Sequence, residues 1–468
     1  MMFSSLPVEL LCKITSLPSL EEKKNLRLTS RKFCDLATPL VFQTVSLSLN
    51  EERRYQECMS FLEALVSRVY LARHIQTLRI HGSFDPPYGK GGFWYEITNG
   101  RQRAIRLIEK RLLGGIPSLV SLRSLYFSGF HPGELGLDSV NAIMLALSNL
   151  PLLSVLNIGL HHGQASYLDF HDLDNISFNG KHGLDIIPSL VARSPNLTRL
   201  RLSSPHQTRA VPEAALDIFA GLRKGKLSCV EQLTLEGALT LPTHDVPIIV
   251  PHLRRLTSLR IHITDVAEEF WSALRIEMIH LEDVSVDIVN DALLEYLGSY
   301  SGSRTMMLIT EQEVDHGSPE FWRNILPRHA DTLVELYVQP KYAGRWCLDT
   351  RSLDAIRQCK RLEILRVKVD QEKLDVNDKT NIITRILEGL YEWPCLTNLE
   401  LISIQTPVIS RLLSNDEFDA IRKIVVAFRC TNPTDGAFRL KVSISYADYC
   451  LSRRKLDPGV YSFKEVDM

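Results

Sequence analysis

The sequence predicts an α/β fold in which a short all-helical N-terminal segment precedes a long solenoid of alternating strands and helices. Three observations support this prediction. The chain has 468 residues, about three times the length of a typical domain. A short apolar pattern recurs along the chain, and the segments between its copies have helical spacing. We therefore expect an extended repeat architecture and not one compact core.

The recurring pattern is apolar-x-x-apolar-x-apolar. Its last two apolar positions lie two residues apart, which is typical of a short strand with one buried face. Successive copies start 25 to 52 residues apart. The copies are Phe42/Val45/Leu47, Ile75/Leu78/Ile80, Leu122/Leu125/Phe127, Leu153/Leu156/Ile158, Leu197/Leu200/Leu202, Val230/Leu233/Leu235, Leu256/Leu259/Ile261, Leu281/Val284/Val286, Leu333/Leu336/Val338, Leu362/Leu365/Val367, Leu396/Leu399/Leu401 and Ile421/Ile424/Val426.

The segments between the strands are predicted to be helices. Apolar residues fall on one helical stripe at Tyr55, Met59, Leu62, Val66 and Val69, and again at Ile382, Ile386, Leu387 and Leu390. Asp138 and Asp291 can cap helices, and Pro319 suits a first helical turn.

Alternating strands and helices fit either a doubly wound sheet or a repeat solenoid. About a dozen strands are more than an open twisted sheet usually carries, and the sequence lacks a GxGxxG turn between a strand and a helix. The chain resembles the leucine-rich-repeat proteins, in the long, irregular form common in fungal sequences. The Asn or Cys that usually follows the strand motif is mostly missing, so the resemblance depends on the number of repeats.

The first part of the chain, residues 4–42, predicts three short helices. Pro7 suits the first turn of a helix capped by Ser5, and Ser19 and Ser30 can cap the second and third helices. About 45 residues bury little apolar surface alone. We therefore expect this segment to need a partner or the repeats behind it.

This segment resembles the F-box. The matching residues are Leu6-Pro7-x-Glu9-Leu10-Leu11, Ile14, Leu17-Pro18-Ser19-Leu20 and Asn25-Leu26-Arg27-Leu28-Thr29-Ser30-Arg31-Lys32-Phe33. Phe33 stands where the family often has Trp, and Ser30 where it often has Cys. The spacer after Ile14 is one residue shorter than usual. An F-box followed by leucine-rich repeats is a known pairing.

The resemblance implies that the N-terminal segment docks on the small Skp-family adaptor of cullin-RING ubiquitin ligases. The residues implied to contact the adaptor are Leu6, Pro7, Leu10, Leu11, Ile14, Leu20, Leu26 and Leu28. Apolar anchors at helical spacing suit such docking. The alternative is that the same leucines form only the core between the three helices and the first repeat.

Composition excludes several classes of protein. Lys plus Arg (54) nearly balances Asp plus Glu (55), giving a net charge of −1, so we expect no general binding to nucleic acid. Nine scattered cysteines without a CxxC pair indicate reduced thiols inside a cell. The sequence shows neither a signal peptide nor a membrane-spanning apolar run. These features predict a cytoplasmic or nuclear protein that does not associate with membranes.

Two segments could carry chemistry, and we interpret both as loops. The first has metal-binding residue types, namely His161, His162, His171, His182, Asp169, Asp172 and Asp174. It lacks the spacing of known metal motifs and lies between two predicted strands. The second, PPYGKGGFW at 86–94, lacks the Gly-Lys-Ser/Thr of a phosphate-binding loop. The sequence also has no Gly-x-Ser-x-Gly motif. We predict no enzymatic activity, no metal and no cofactor.

The remaining surface is the strand face of the solenoid. Residues that alternate with the buried strand leucines are expected to line its concave side. The candidate substrate-binding residues on that side are Arg79, His81, Tyr126, Arg201, Glu236, Arg260, His262, Asp287, Tyr337, Arg366 and Lys368. Further positions there are Asn157, Thr234, Ser285, Gln339 and Glu400. Their mixed charge suits a protein partner.

The predicted organisation is an F-box-like segment at 1–48, a repeat solenoid at 49–431 and a C-terminal cap or tail at 432–468. One hypothesis is a substrate receptor of a Skp-cullin-F-box ubiquitin ligase, in which the N-terminal segment binds the adaptor and the repeats bind an unknown protein substrate. The alternative is an interaction scaffold without a ligase role, whose N-terminal helices cap the solenoid.

Overall fold

The protein is described here from a computed structural model. The described residues are 8–48, 52–67, 69–81, 107, 110–130, 142–143, 145–147, 149–160, 186–203, 214–215, 218–222, 225–237, 239–240, 246–263, 266–310, 317–376, 378, 380–404, 419–431, 440–444, 447–453 and 460–466. The chain divides into two units. Unit 1 comprises 1–245 and 251–255, and unit 2 comprises 246–250 and 256–468.

Three helices open unit 1. They are α1 (Val8–Ser16), α2 (Leu20–Leu26) and α3 (Arg31–Phe42). As predicted, the side chains of Ser19 and Ser30 cap α2 and α3. Both α1 and α2 pack against α3, and α3 also contacts the first strand. The three helices therefore form a small layer at the start of the unit.

The strands of unit 1 form a parallel ladder in the order β1-β2-β3-β4-β5-β7. They are β1 (Thr44–Ser48), β2 (Thr77–His81), β3 (Ser124–Phe130), β4 (Val155–Leu160), β5 (Arg199–Ser203) and β7 (Gln232–Gly237). Two short strands, β6 (Ala214–Ala215) and β8 (Leu239–Thr240), pair separately. The register aligns the second apolar position of each predicted repeat, at Val45, Leu78, Leu125, Leu156, Leu200 and Leu233.

Unit 2 also contains a parallel ladder of strands with an aligned row of apolar residues. Its parallel strands are β9 (Ser258–Ile263), β10 (Asp283–Val286), β11 (Thr305–Thr310), β12 (Glu335–Pro340), β13 (Ile364–Asp370), β14 (Asn398–Ile404) and β15 (Lys441–Ile444). Two antiparallel strands, β16 (Ala447–Arg453) and β17 (Tyr461–Val466), follow β15. The aligned apolar row is Leu259, Val284, Met306, Leu336, Leu365, Leu399 and Val442.

Helical segments connect many of the strands. Beyond α3 the described ones are Glu52–Ser67, Val69–Ala72, Ile116–Ser118, Ile186–Arg193, Val246–Ile249, Val250–Leu253, Glu268–Ile276, Asp291–Gly298, Ser318–Glu320, Phe321–Ile325, Leu326–His329, Thr350–Ile356, Gln371–Lys373, Ile382–Glu388, Gly389–Glu392 and Asp419–Ala427. The predicted alternation of strands and helices is thus confirmed, and each unit is a leucine-rich-repeat-like array.

One strand escaped the sequence pattern. β11 lies between the predicted copies at 281 and 333, and its core residues Met306 and Leu308 are fully buried. The first position of this copy is Ser303, which is buried and hydrogen-bonded to the Leu281 carbonyl at 3.1 Å. A buried polar residue with a partner replaces the apolar one there, so a search for three apolar positions missed the repeat.

The last predicted strand is wrong. Ile421, Ile424 and Val426 lie in the helix Asp419–Ala427. Val425 is fully buried, whereas Val426 is 41% exposed. The spacing i, i+3 is common to the repeat pattern and to a helix, and burial at i+4 instead of i+5 identifies the helix.

Two details of the helices differ from prediction. In Glu52–Ser67, Leu65 is buried, whereas Val66, which the predicted apolar stripe included, is exposed. The buried face at the end of this helix therefore lies one residue earlier than predicted. The helix Asp291–Gly298 is capped by Asn290, whose side chain accepts a hydrogen bond from the Leu293 N–H at 2.9 Å. Pro319 opens its helix as predicted, and Asp138 lies outside the described residues.

A buried polar cluster links consecutive repeats of unit 2. The His329 ring is fully buried: its Nδ1 accepts from the Ser303 N–H at 3.1 Å and its Nε2 donates to the Leu297 carbonyl at 3.0 Å. The Tyr300 ring lies edge-on to the imidazole, with centroids 5.2 Å apart. Burial lowers the pKa of His329. This residue therefore holds a neutral imidazole between two backbone groups.

Candidate protein-interaction surfaces

Four leucines are exposed in and beside α1 and α2. Leu10 in α1 is 49% exposed, Leu17 in the following turn 79%, Leu20 at the start of α2 51%, and Leu28 in the turn after α2 86%. We call these four residues the leucine surface. Large exposed apolar side chains that lie together are typical of docking sites for other proteins, and these four fall within 19 residues of sequence.

The other residues implied to contact an adaptor are placed differently. Leu11 is 1% exposed and belongs to the core of the helical layer. Ile14 and Leu26 are half-buried. Leu6 and Pro7 lie outside the described residues. Leu17 was not among the implied contacts, although an apolar residue directly before a helix-ending proline is a signal that could have identified it.

Short-range contacts fix the turns that carry the leucine surface. Ser19 and Glu22 form a capping box, in which the Ser19 N–H donates to the Glu22 carboxylate at 2.7 Å. These hydrogen bonds lower the pKa of Glu22. The Arg27 guanidinium stacks over the Phe42 ring at 5.0 Å and donates to the Thr38 hydroxyl at 3.2 Å. The capping box thus fixes the turn before α2, and the Arg27 contacts hold the turn after α2 against α3.

The strand face opposite the buried leucines, here the open face, carries paired side chains in unit 1. Arg79 stacks over the ring of Tyr126, which is its register neighbour, at 5.1 Å. Arg201 Nη2 lies 2.8 Å from each carboxylate oxygen of Glu236. His81 is the last residue of β2. The structure thus brings the five predicted residues of unit 1 onto one face.

The open face of unit 2 has two central rows of side chains across its strands. The first row contains Arg260, Ser285, Met307, Tyr337, Arg366, Glu400 and Ser443. The second contains His262, Asp287, Ile309, Gln339, Lys368 and Ile402, each two residues after a member of the first row. All six predicted residues of unit 2 therefore lie in these rows.

A cluster of fixed charge occupies the first row. The Arg366 guanidinium pairs with Glu400 at 2.6 Å and lies over the Tyr337 ring at 5.2 Å. The Tyr337 hydroxyl donates to Glu335 at 3.1 Å. Burial and the nearby Glu335 carboxylate raise the pKa of Tyr337. These contacts restrict each of the side chains to one position on the open face.

A second cluster joins β9 and β10. His262 Nδ1 lies 2.5 Å from Asp287 Oδ1, and its Nε2 lies 3.0 Å from the Ser285 hydroxyl. The order of contacts is that of a hydrolase triad. Ser285, however, is 3% exposed and lies within a strand that is paired on both sides. The Ser285 hydroxyl is therefore little exposed, and its contact with His262 holds the two side chains together on the open face.

The sequence predicts the face on which this second cluster lies but not the contacts within it. The alternation along the strands predicts that all three residues lie on the open face, but their contacts with one another follow only from the register of β9 and β10.

The histidine-rich segment 161–182 and the segment 86–94 both lie outside the described residues. Within the described ranges, no group of three or more His, Cys, Asp or Glu side chains could hold a metal ion. No described helix is long and apolar enough to cross a membrane.

Comparison with known proteins gives structural likeness only. No family model matches the sequence, and no curated protein matches it. The fold is similar to a chain of the yeast Rad7–Elc1 complex, at 15% identity and a TM-score of 0.45, covering 84% of this chain and 85% of that one. It is also similar to the leucine-rich repeat-containing protein LegL7 of Legionella pneumophila, at 15% identity and a TM-score of 0.33, covering 81% and 97%. We therefore base the functional inference on the residues of this chain alone.

Proposed function

We propose that this chain is the substrate-recognition subunit of a Skp-cullin-F-box ubiquitin ligase, acting in the cytoplasm or nucleus. The observation that supports the proposal most is the leucine surface. It coincides with the residues that resemble the F-box, and three of its members, Leu10, Leu20 and Leu28, are implied adaptor contacts. Burying these exposed leucines against a partner would lower the free energy of the helical layer.

The mechanism in this proposal is proximity. The helical layer binds the adaptor, and the open faces bind a protein whose lysines are to be modified. One chain that holds both partners raises the effective concentration of those lysines near the ligase. We propose no acyl transfer by residues of this chain, since Ser285, the serine of the triad-like cluster, is only 3% exposed.

The test is adaptor binding by the full chain and by the double variant Leu20→Asp/Leu28→Asp. Burial of these side chains on binding would contribute about 3 kcal/mol together, and the two carboxylates add a desolvation cost. We expect the double variant to bind a purified Skp-family adaptor at least ~100-fold more weakly than the wild-type chain. Leu227→Asp is the matched control, because Leu227 is 48% exposed in unit 1 but outside the helical layer.

The buried residue Leu11 defines what the test must avoid. Because Leu11 is 1% exposed, a polar substitution there is expected to destabilise the helical layer and so to weaken binding for a structural reason. Circular dichroism of the Leu20→Asp/Leu28→Asp variant therefore accompanies the binding measurement. A wild-type chain that fails to bind the adaptor, or a folded double variant that binds as well as wild type, refutes the proposal.

One observation favours a scaffold without a ligase role. Helix α3 buries Ala37, Thr38 and Val41 and packs against β1, as a terminal cap of a repeat array does. Deletion of residues 1–29 separates the two functions, since it removes α1 and α2 but keeps α3. If capping is the only role, the truncated chain remains folded and retains all partners of the full chain.

A further inference from the structure

The open face of unit 1 carries more positive than negative charge. Its strands β1 to β5 and β7 place three arginines there, Arg79, Arg199 and Arg201, and a single carboxylate, that of Glu236. All three arginines are exposed, because each alternates with buried apolar residues along its strand. The face therefore presents cations to solvent.

The single carboxylate neutralises only one of the three arginines. Arg201 Nη2 lies 2.8 Å from each carboxylate oxygen of Glu236. Arg79 lies over the Tyr126 ring at 5.1 Å, and this stacking leaves the N–H groups at the edge of its guanidinium available to donate. Within the described part of the chain, neither Arg79 nor Arg199 forms an ion pair with a carboxylate.

Two further hydrogen-bond donors lie between Arg79 and Arg201. The register crosses β2, β3, β4 and β5 through Arg79, Tyr126, Asn157 and Arg201, in that order. The Tyr126 hydroxyl and the Asn157 amide have no hydrogen-bond partner among the described residues. At about 4.8 Å per strand, this row of four side chains is about 14 Å long. Every member can donate a hydrogen bond, so the row suits a ligand that carries acceptors.

An extended acidic segment matches the spacing of this row. In an extended chain, side chains two residues apart lie on one face, about 7 Å from each other. Three acidic residues at alternate positions therefore span about 14 Å. With the first carboxylate at Arg79, the second lies between Tyr126 and Asn157, and the third lies at Arg201. Arg199 precedes Arg201 by two residues on the same face of β5 and supplies a cation about 7 Å away.

We propose that the open face of unit 1 binds an extended acidic segment of a partner protein, with Asp or Glu at alternate positions, laid across β2 to β5. This inference rests on the proposed function, in which the open faces bind a protein, and it names the chemistry of the bound segment. Its carboxylates pair with Arg79 and Arg199 and accept hydrogen bonds from the donors between them. Because these cations are exposed, salt weakens the attraction.

The experiment uses two labelled decapeptides and the purified full chain. One peptide alternates Glu with Ser, and the other alternates Gln with Ser. Fluorescence anisotropy is measured at low and high salt with wild type, Arg79→Gln/Arg199→Gln and the control Arg193→Gln/Lys226→Gln. The control removes the same charge, because Arg193 and Lys226 are exposed cations of unit 1 that lie outside its strands.

We expect wild type at low salt to bind the Glu peptide at least about tenfold more tightly than the Gln peptide, with a smaller preference at high salt. The Arg79→Gln/Arg199→Gln variant should bind the Glu peptide at least about fivefold more weakly than wild type, because two ion pairs are lost. The control should bind it as wild type does. Circular dichroism verifies that both variants are folded, and the comparison of the two peptides on wild type depends on neither variant.

Three results would overturn the inference. The first is equal binding of the two peptides by wild type, or binding of neither up to millimolar concentration. The second is a folded Arg79→Gln/Arg199→Gln variant that binds the Glu peptide as tightly as wild type. The third is an equal loss in the control, which would indicate attraction by net charge.

The outcome is separable from that of the ligase proposal. A chain that fails to bind the adaptor but discriminates the Glu from the Gln peptide through Arg79 and Arg199 refutes the ligase role alone. A chain that binds the adaptor but does not discriminate the peptides refutes the acidic-segment site alone.

Discussion

Replacing His329 with leucine tests whether its buried imidazole stabilises unit 2. Leucine keeps an apolar volume beside Tyr300 but offers no hydrogen bond. The Ser303 N–H and the Leu297 carbonyl would both lose their partner. Leu297 lies in the last turn of Asp291–Gly298, where a carbonyl has no helical partner of its own.

The magnitude follows from these two backbone groups. Each buried group without a hydrogen bond costs about 1–3 kcal/mol, so the substitution is expected to destabilise unit 2 by about 2–6 kcal/mol. Urea unfolding followed by tryptophan fluorescence is a suitable assay. Four of the five tryptophans lie in unit 2, at Trp271, Trp322, Trp346 and Trp393.

The pH dependence gives a second readout that packing alone would not change. Because the pKa of His329 is lowered in the folded state, the unfolded chain binds the proton first as pH falls. This contribution is complete above the unfolded pKa, near 6.5, and is lost as pH falls from there toward the folded pKa. Between pH 7.5 and 5.5 it amounts to at most about 1.4 kcal/mol.

Wild type should therefore lose up to that amount more than His329→Leu between pH 7.5 and 5.5. All other titrating groups are common to both proteins and cancel in the difference. Equal pH dependence in the two proteins, or a substitution that costs less than about 1 kcal/mol at pH 7.5, would refute the assignment of a neutral, doubly bonded imidazole.

Two further predictions concern single positions in unit 2. Gly317 has φ of +76°, and a Cβ there would clash with Leu294 Cδ1, so Gly317→Ala should destabilise by about 1–3 kcal/mol in thermal unfolding. Gly298→Ala is the control, because its nearest contact would be an ordinary 3.6 Å, and a similar loss there would contradict the reasoning. Burial raises the pKa of Cys359 to about 12; iodoacetamide at pH 8 should modify exposed Cys395 but leave Cys359 unmodified until the chain unfolds, as mass spectrometry of peptides would show.

The repeat architecture could be predicted because strand burial has a short, local period. Leu200 and Leu202 face the core for the same reason as Leu365 and Val367, and the same two-residue spacing appears in both units. The prediction failed where the spacing of apolar residues fits a helix as well as a strand, and where a hydrogen-bonded polar residue occupies an apolar position of the repeat. At 421–426 the spacing also fits a helix, and at Ser303 a hydrogen bond takes the place of apolar burial.

The candidate sites were predictable only in part. Alternation along a strand gave the face on which His262, Ser285 and Asp287 lie, but their mutual contacts depend on the register between strands. Exposure in the helical layer depends on which helices pack together. Leu10 and Leu11 are adjacent in sequence, and only the packing of α1 on α3 determines that one is 49% exposed and the other 1%.

The buried and the exposed apolar side chains of the helical layer lie in different parts of it, and this distribution favours a docking role over capping alone. Helix α3 covers the start of the repeats with buried side chains, and none of the four exposed leucines belongs to it. If the layer served only as a cap, α1 and α2 would have to cover α3, and the exposed side chains of Leu20 and Leu28 would add no stability to that cap. Polar residues at those two positions would shield equally well and resist aggregation better. Exposed leucine at both positions is what the proposed docking on an adaptor requires.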